Sequence, residues 1–174
     1  MPAAKAATVL FVCTGNIFRS LTADFALRQL LAHRGDIHVS SAGTEDYPHV
    51  VRPRVRDYLL AKGFDVSAHR RRTLTQALLD QSDLVVAMST DHQELIRNRF
   101  SRQVPVFLEA CGEPAARLPD IEDVVLDWET NKAAVEAHVR ATIDRIIALA
   151  PRMAENIDTL IRRHGRNPEW APDP

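Results

Sequence analysis

Apolar runs alternate with segments of helical periodicity along the chain. Residues 8–12 (TVLFV) are apolar or β-branched throughout, which is typical of a strand buried on both faces of a parallel sheet. Three further runs predict strands at 37–41 (IHVSS), 83–88 (DLVVAM) and 104–108 (VPVFL). Pro105 lacks a backbone N–H group, so the fourth strand is predicted at an edge of the sheet.

The segments between these runs have apolar residues at helical spacing. Ser20 begins a helix in which the recurring apolar residues are Leu21, Phe25, Leu27, Leu30 and Leu31. Further helices are predicted at 51–62, closed by Gly63, at 75–80, and from a cap at Ser89 to residue 100. A long helical pattern starts at residue 129. Pro151 is expected to break or kink it before it resumes to about residue 164.

Strands that alternate with helices predict a doubly wound α/β fold, with a four-stranded parallel sheet flanked by helices. The 174 residues contain no internal repeat and no long linker, which indicates one domain over 1–174. Within it, 1–6 and 166–174 are expected to be flexible ends. Residues 109–128 form the longest stretch without a clear period, and long loops in compact domains are often functional.

Composition narrows the classes of ligand and location. Lys and Arg number 22 against 23 Asp and Glu, so the chain lacks the positive charge that non-specific nucleic-acid binding requires. No apolar run approaches the roughly 20 residues of a membrane span, and the first residues do not resemble a signal peptide. We therefore expect a cytoplasmic protein that binds neither nucleic acid nor membrane. Its two cysteines, Cys13 and Cys111, are expected to be thiols.

Cys13 stands at the carboxyl end of the first strand, where open α/β sheets bind ligands. The loop CTGNIFR is short enough for its backbone N–H groups to surround a tetrahedral anion, together with the next helix start. Gly15 permits the backbone geometry of such a cradle, and Arg19 can hold two phosphate oxygens. The same positive field, with the Ser20 hydroxyl, favours the thiolate form of Cys13. The pattern predicts a nucleophile in a phosphate-binding loop formed by Thr14, Gly15, Asn16, Ile17, Phe18, Arg19 and Ser20.

The segment VLFVCTGNIFRS closely resembles the signature of the low-molecular-weight protein tyrosine phosphatases, in which Cys-x5-Arg-Ser follows the first strand. The resemblance extends from residue 7 to about residue 160. It implies a metal-independent hydrolase of protein phosphotyrosine that works through a phosphocysteine intermediate on Cys13. It also implies that Asn16, Ser41 and His69 buttress the loop and that Tyr47 lines the mouth of the pocket.

The family resemblance further implies a general acid on the stretch 109–128. In the family, an aspartate there protonates the leaving oxygen and then activates the water that hydrolyses the phosphocysteine. The nearest match is PDIED at 119–123, where Asp120 is the first choice and Asp123 the alternative. The proline and aromatic residues that follow this aspartate in the family are missing here. A solvated acidic loop or a helix start is the competing interpretation.

Two loop positions bear on substrate and on oxidation. Ile17 occupies the position at which phosphoarginine-specific members carry threonine, which favours phosphotyrosine, although Thr14 also occurs in the arginine-phosphatase type of loop. Phe18 replaces the second cysteine with which many members protect the nucleophile. Cys111 is expected to be an ordinary thiol.

Three other functions stay open at this point. A thiol-dependent arsenate reductase would need a partner thiol, because the chain has only Cys111 besides the nucleophile. A protein-arginine phosphatase and a non-catalytic phosphate-binding module are the other two. The remaining histidines lack metal-ligand spacing, and no nucleotide-binding motif occurs, so no metal or cofactor is predicted. The run Arg70, Arg71 and Arg72 is expected to be solvated, with steering of acidic phosphopeptides as the alternative.

Overall fold

The sheet of the computed structural model, which describes residues 6–46 and 50–166, is parallel. Its strands are β1 (Ala7–Cys13), β2 (Ile37–Gly43) and β3 (Leu84–Ala87), in the order β2-β1-β3. β1 is central and pairs with β2 along its whole length, from Ala7 opposite Ile37 to Cys13 opposite Gly43. Because the strand order reverses at β1, its carboxyl end faces the crevice in which such sheets bind ligands.

The predicted fourth strand at 104–108 is not a strand, so the prediction of a four-stranded sheet is wrong. Only one parallel bridge remains, between Val106 and Ala87. The Ala87 N–H donates to the Pro105 carbonyl at 3.0 Å, but Pro105 has no N–H group with which to extend the pairing. A helix begins immediately afterwards, at Phe107. The segment nevertheless covers the sheet edge, because Val104 and Val106 are buried.

Helices occupy both faces of the sheet. In the described part of the chain they are α1 (Arg19–Leu30), α2 (Pro53–Ala61), α3 (Gln76–Gln81), α4 (Thr90–Phe100), α5 (Phe107–Ala110), α6 (Ile121–Val124), α7 (Lys132–Glu155) and α8 (Ile157–His164). Gly63 has a φ of 92° just beyond the end of α2, the left-handed conformation that a glycine favours at this point. The alternation of strands and helices is the doubly wound α/β architecture.

The break expected at Pro151 does not occur there. α7 continues through Pro151 to Glu155, and α8 begins only after Asn156. A proline inside a helix removes one backbone hydrogen bond and costs roughly 3 kcal/mol. Leu149, Ala150 and Met153 are buried on either side of Pro151, so their packing offsets this cost and keeps the helix intact.

β1 is covered on both faces, as its apolar run predicts. Its odd-numbered residues, including Phe11 and Cys13, pack in a cluster with Ile146 of α7 and Ile157 of α8. Its even-numbered residues face the other side and pack with side chains such as Leu79 of α3. A further cluster joins α1, α2 and α7 through residues that include Leu21, Leu59 and Ile143. Cys13 therefore ends a strand that is held rigidly from both sides.

The predicted flexible ends lie largely outside the described residues. Arg166 is described, and its backbone N–H donates to the Asp83 carbonyl at 3.0 Å. No helix in the ranges 6–46 and 50–166 is long and apolar enough to cross a membrane.

Candidate active site

Cys13 lines a cavity of about 360 Å³ at the carboxyl end of β1. Its sulfur lies 3.0 Å from the Ser20 hydroxyl oxygen. The same oxygen accepts a hydrogen bond from the Asn16 side-chain amide at 3.0 Å. Since that bond occupies a lone pair of the Ser20 oxygen, the hydroxyl hydrogen is free to point at sulfur. Ser20 is therefore placed to stabilise a thiolate on Cys13.

Asn16 is the buried centre of the phosphate loop, by which we mean residues 13–20. Its φ is 56°, a left-handed conformation that asparagine tolerates better than most residues. Its side-chain oxygen accepts from the Arg72 backbone N–H at 3.2 Å, and its carbonyl accepts from His69 Nε2 at 2.9 Å. Burial lowers the pKa of His69, so the imidazole is neutral, and it carries its proton on Nε2. Asn16 and His69 thus meet behind the loop.

The carboxyl end of β2 lies directly against the phosphate loop. The Thr44 N–H donates to the Cys13 carbonyl at 2.8 Å, and the Glu45 N–H donates to the Thr14 carbonyl at 3.1 Å. A Cβ atom on Gly43 would lie 2.6 Å from the Thr14 carbonyl oxygen and 3.1 Å from the Asn16 nitrogen. Both atoms belong to the backbone, so the loop reaches this position only because residue 43 has no side chain.

Gly43→Ala should displace the phosphate loop and lower kcat/KM for p-nitrophenyl phosphate by about 10²-fold, the effect expected of a shift near 1 Å. The overpacking should also lower the free energy of unfolding by roughly 1–3 kcal/mol. Steady-state kinetics and chemical denaturation measure the two effects. Gly35→Ala is the matched control, because nothing lies within 4 Å of its added Cβ. Equal kcat/KM values for the two variants would contradict the prediction.

Arg19 is 2% exposed, and its guanidinium is held by three acceptors. Nη1 donates to the Leu118 carbonyl at 2.9 Å, and Nη2 donates to the Thr14 hydroxyl at 3.3 Å. Nη2 also forms an ion pair with an Asp120 carboxylate oxygen. A buried guanidinium needs an anionic partner. Here the partner is a carboxylate at the cavity wall, in a position where a phosphate could replace it.

The structure separates the two candidate acids. Asp120 lines the cavity with Cys13, and its other carboxylate oxygen caps α6 by accepting from the Ile121 N–H at 2.8 Å. Asp123 accepts from the Asp120 N–H at 2.8 Å and pairs with Arg117 at 2.9 Å. Asp120 is therefore held at Arg19, while Asp123 is engaged with Arg117.

Ser41 contacts a different element from the one that the family resemblance implies. Its hydroxyl donates to a carboxylate oxygen of Asp24 in α1 at 2.8 Å. The Asp24 carboxylate is buried, pairs with Arg28 at 2.6 Å and needs such donors. The expected buttress from the Ser41 hydroxyl to the phosphate loop is thus replaced by a bond to α1. Tyr47, the other supporting residue of the second-strand segment, lies outside the described residues.

The wall of the cavity is mainly apolar and includes an aromatic ring that the sequence analysis missed. Trp128 lines the cavity although it lies eight residues beyond Asp120. The family pattern places aromatic residues directly after the acid, so this separation explains why Trp128 was not predicted. Its side chain is 42% exposed, as expected at a cavity mouth. The other apolar lining residues are Ile17, Phe18, Val55, Ile121 and Val135.

Arg71 corrects the expectation that the arginine run is solvated. Its Nε donates to the Gly15 carbonyl at 3.1 Å, and its Nη2 donates to the Glu45 carbonyl at 2.6 Å. Arg71 thereby ties the phosphate loop to the segment that follows β2. Its neighbour Arg70 is exposed, as predicted. The spacing of the run gave no signal that separated the two residues.

Cys111 lies away from this chemistry. It is 2% exposed in the core, and it does not line the cavity. Burial, reinforced by the nearby Glu113 carboxylate, raises the pKa of its thiol to about 12. At neutral pH the Cys111 thiol is therefore protonated and a poor nucleophile. Within the described ranges, no three His, Cys, Asp or Glu side chains gather as a metal site would require.

A cysteine at the end of a central strand, in a short loop with a buried arginine and an adjacent aspartate, defines the class of cysteine-dependent phosphatases. Comparison with known families agrees. The family described as low molecular weight phosphotyrosine protein phosphatase matches residues 8–123, and the chain belongs to this family.

Individual relatives span three activities. A probable low molecular weight protein-tyrosine-phosphatase EpsP of Ralstonia solanacearum is 32% identical over 147 residues, covering 82% of this chain and 97% of the relative. An arsenate reductase 2 of Staphylococcus epidermidis is 34% identical, covering 75% and 94%. A protein-arginine-phosphatase of Bacillus subtilis is 32% identical, covering 54% and 63%.

Solved structures share the fold. A mutant of YwlE from Bacillus subtilis superposes with a TM-score of 0.74 at 24% identity, covering 88% of this chain and 99% of that one. The tyrosine phosphatase Wzb from Escherichia coli K30, in complex with sulphate, has a TM-score of 0.69 at 23% identity, covering 87% and 99%. At these identities the similarity establishes the α/β fold alone.

Proposed function

We propose that this chain removes phosphate from tyrosine residues of proteins, without a metal, through a phosphocysteine on Cys13. The observation that carries the proposal is that Cys13, Arg19 and Asp120 line one cavity whose remaining wall is mainly apolar. The substrate would be a tyrosine-phosphorylated protein in the cytoplasm. Both Cys13 and Cys111 are free thiols, which suits that reducing compartment.

In the first step, the Cys13 thiolate attacks phosphorus, so that an S–P bond forms while the bond between phosphorus and the phenolic oxygen breaks. Arg19 and the backbone N–H groups of the phosphate loop hold the equatorial oxygens. When Arg19 turns to the phosphate it releases Asp120, with which it is paired in the free protein. The freed Asp120 carboxylate takes up a proton from the substrate phosphate or from water, and then donates it to the departing phenolic oxygen.

In the second step, water attacks the phosphocysteine. Asp120, now a carboxylate, accepts a proton from that water, and the S–P bond breaks to give inorganic phosphate. The sulfur leaves as a thiolate, which the Ser20 hydroxyl at 3.0 Å can stabilise. The step leaves Cys13 as a thiolate and Asp120 protonated, and loss of that proton to water restores the carboxylate that pairs with Arg19 in the free protein.

The cavity wall supports an aryl substrate. Ile17, Phe18 and Trp128 surround the approach to Cys13 and can pack against a phenyl ring. At the rim, Arg52 and Glu45 provide charges of both signs for the residues that flank a phosphotyrosine. A phosphoarginine would instead place a polar guanidinium against Ile17, which offers it no hydrogen bond.

An arsenate reductase is supported less well by this site. Reduction of arsenate to arsenite needs two electrons, which two thiols supply by forming a disulfide. Cys111 is the only second thiol in the chain, and its burial and raised pKa make it a poor resolving nucleophile. Such a reaction would need a thiol from another molecule, for example glutathione.

Assays on the purified protein test the proposal. We expect hydrolysis of p-nitrophenyl phosphate that survives treatment with EDTA and that vanadate inhibits competitively. We also expect kcat/KM for a phosphotyrosine peptide to exceed that for the matching phosphoarginine peptide by at least about tenfold, since a good substrate-pocket match is worth roughly that factor. A preference for phosphoarginine, loss of activity with EDTA, or glutathione-dependent formation of arsenite as the dominant reaction would each contradict it.

A further inference from the structure

We propose that Ser89 and His92, at the start of α4, are positioning residues that hold Arg19 in the orientation in which it grips phosphate. The inference rests on the proposed function in one respect only, which is that Arg19 binds the phosphate group. Neither residue lines the cavity. Each reaches Arg19 through one intermediate residue, Ser89 through Leu118 and His92 through Thr14.

Ser89 occupies the N-cap position of α4 but does not cap it with its side chain. Its hydroxyl, fully buried, accepts instead from the Leu118 backbone N–H at 2.9 Å. The carbonyl of Leu118 accepts in turn from Arg19 Nη1 at 2.9 Å. In α3, by contrast, Thr75 makes the ordinary capping bond, accepting from the Leu78 N–H at 3.2 Å. The Ser89 hydroxyl therefore does not cap α4, and it fixes instead Leu118, the residue whose carbonyl binds Arg19.

His92 supports the other side of the guanidinium. It is 2% exposed, and its Nε2 lies 2.9 Å from the Thr14 hydroxyl oxygen. That oxygen also accepts from Arg19 Nη2 at 3.3 Å. The other ring nitrogen of His92, Nδ1, is buried and has no hydrogen-bond partner among the described residues.

The unpartnered Nδ1 decides which way the hydrogen bond to Thr14 runs. A buried N–H without an acceptor is rarer in proteins than a buried lone pair without a donor. We therefore assign the proton of the neutral imidazole to Nε2, which donates to the Thr14 hydroxyl. Thr14 then accepts from both His92 and Arg19, and its own hydrogen stays free for an anion in the cavity.

The charges around His92 agree with this role. Burial, and then the positive charge of Arg19, lower the pKa of His92 to about 4, although Asp91 and Asp120 act in the opposite direction. Arg117 adds to the lowering. The ring is therefore neutral at physiological pH and donates to Thr14 without placing a second cation beside Arg19.

Two features that lower stability are thus both linked to the Arg19 guanidinium. The start of α4 lacks a side-chain cap, and a buried ring nitrogen lacks a partner. Both features lower stability, and such features tend to persist where they serve a site. Here both belong to the first turn of α4, and both lead to Arg19.

The test measures phosphate binding by Arg19 as the Kd for inorganic phosphate in titration calorimetry. The values of kcat and KM for p-nitrophenyl phosphate are measured alongside. We expect Ser89→Ala and His92→Leu each to weaken phosphate binding by about tenfold, the upper end of what one neutral hydrogen bond contributes. His92→Gln should restore most of the affinity, because its amide N–H can replace Nε2–H. Adding His92→Leu to Thr14→Val should cause no further loss, because Thr14 is the intermediate residue.

Thr75→Ala is the matched control for Ser89→Ala. Thr75→Ala removes a capping bond and Ser89→Ala leaves the buried Leu118 N–H without its acceptor, so both changes should lower the melting temperature, but only Ser89→Ala should weaken phosphate binding. If His92→Leu does not fold, the comparison of His92→Gln with Thr14→Val carries the test. Phosphate affinities for Ser89→Ala and His92→Leu that equal the wild-type value, or a His92→Gln variant as weak as His92→Leu, would overturn the inference.

A wild-type protein that binds phosphate without hydrolysing esters would contradict the proposed function and leave this inference standing. One that binds no phosphate would overturn both.

Discussion

Replacing Cys13 with serine is expected to reduce turnover of p-nitrophenyl phosphate by roughly 10⁴-fold or more, the usual consequence of removing a nucleophile. Serine keeps the size and the position of the side chain, so the loop held by Asn16 and His69 should stay in place. A serine hydroxyl, however, is not ionised at neutral pH, and among the described residues no histidine lines the cavity to act as a base. The chemical step should therefore fail while phosphate binding persists.

The binding measurement separates lost chemistry from a lost site. Cys13→Ser should retain a Kd for inorganic phosphate within about threefold of the wild-type value, because Arg19 and the loop N–H groups do the binding. Retained turnover would show that the sulfur is not the nucleophile. Loss of phosphate binding together with turnover would show that the substitution had disrupted the loop, and Cys13→Ala would then have to reproduce the inactive but binding state.

Cys111→Ala is the control for thiol chemistry in general. The pKa of this thiol is raised to about 12 by burial and by Glu113, so iodoacetamide at neutral pH should modify Cys13 alone. Phosphate should protect Cys13 from the reagent. Cys111→Ala should keep full activity, and it should lose roughly 1–2 kcal/mol of stability through the cavity left in the core. Inactivation by modification of Cys111 would contradict this assignment.

The loop at Cys13 could be predicted from sequence because its contacts are local. Cys13, Asn16 and Ser20 lie within eight positions of one another and meet through two hydrogen bonds. β1 was predictable for the same kind of reason, since a strand buried on both faces must be apolar throughout. The strand, the loop and the helix start therefore lie in one short segment, and the sequence of that segment is sufficient to predict them.

Residues that act across the fold could not be found in this way. His92 is 78 positions from Thr14, and Leu118 is 29 positions from Ser89. Only the packing of α4 and of the segment before α6 beside the loop brings them together. The wrong prediction of a fourth strand has a related cause. The apolar run at 104–108 indicates burial, but Pro105 lacks an N–H group and a helix begins at Phe107, so the segment forms one β-bridge to the sheet.

The second large effect is expected at Asp120. Asp120→Asn should lower kcat by about 10²–10⁴-fold, the usual contribution of a general acid and base. Asparagine can still cap α6 by accepting from the Ile121 N–H, so the fold of this segment should be kept. It can neither protonate the leaving oxygen nor accept a proton from water. The two steps should respond differently, and that difference identifies the role.

The leaving group reveals the acid role of Asp120. p-Nitrophenolate leaves without a proton, so in Asp120→Asn the first step should remain fast and release about one equivalent of p-nitrophenol per enzyme in a burst. Hydrolysis of the phosphocysteine should then be slow, because the base is missing. With phosphotyrosine, whose leaving oxygen needs the proton, the burst itself should disappear.

Asp123→Asn is the comparison: Asp123 pairs with Arg117 instead of Arg19, so we expect a much smaller loss that is equal for both substrates. A larger, substrate-dependent loss in Asp123→Asn than in Asp120→Asn would move the acid role to Asp123.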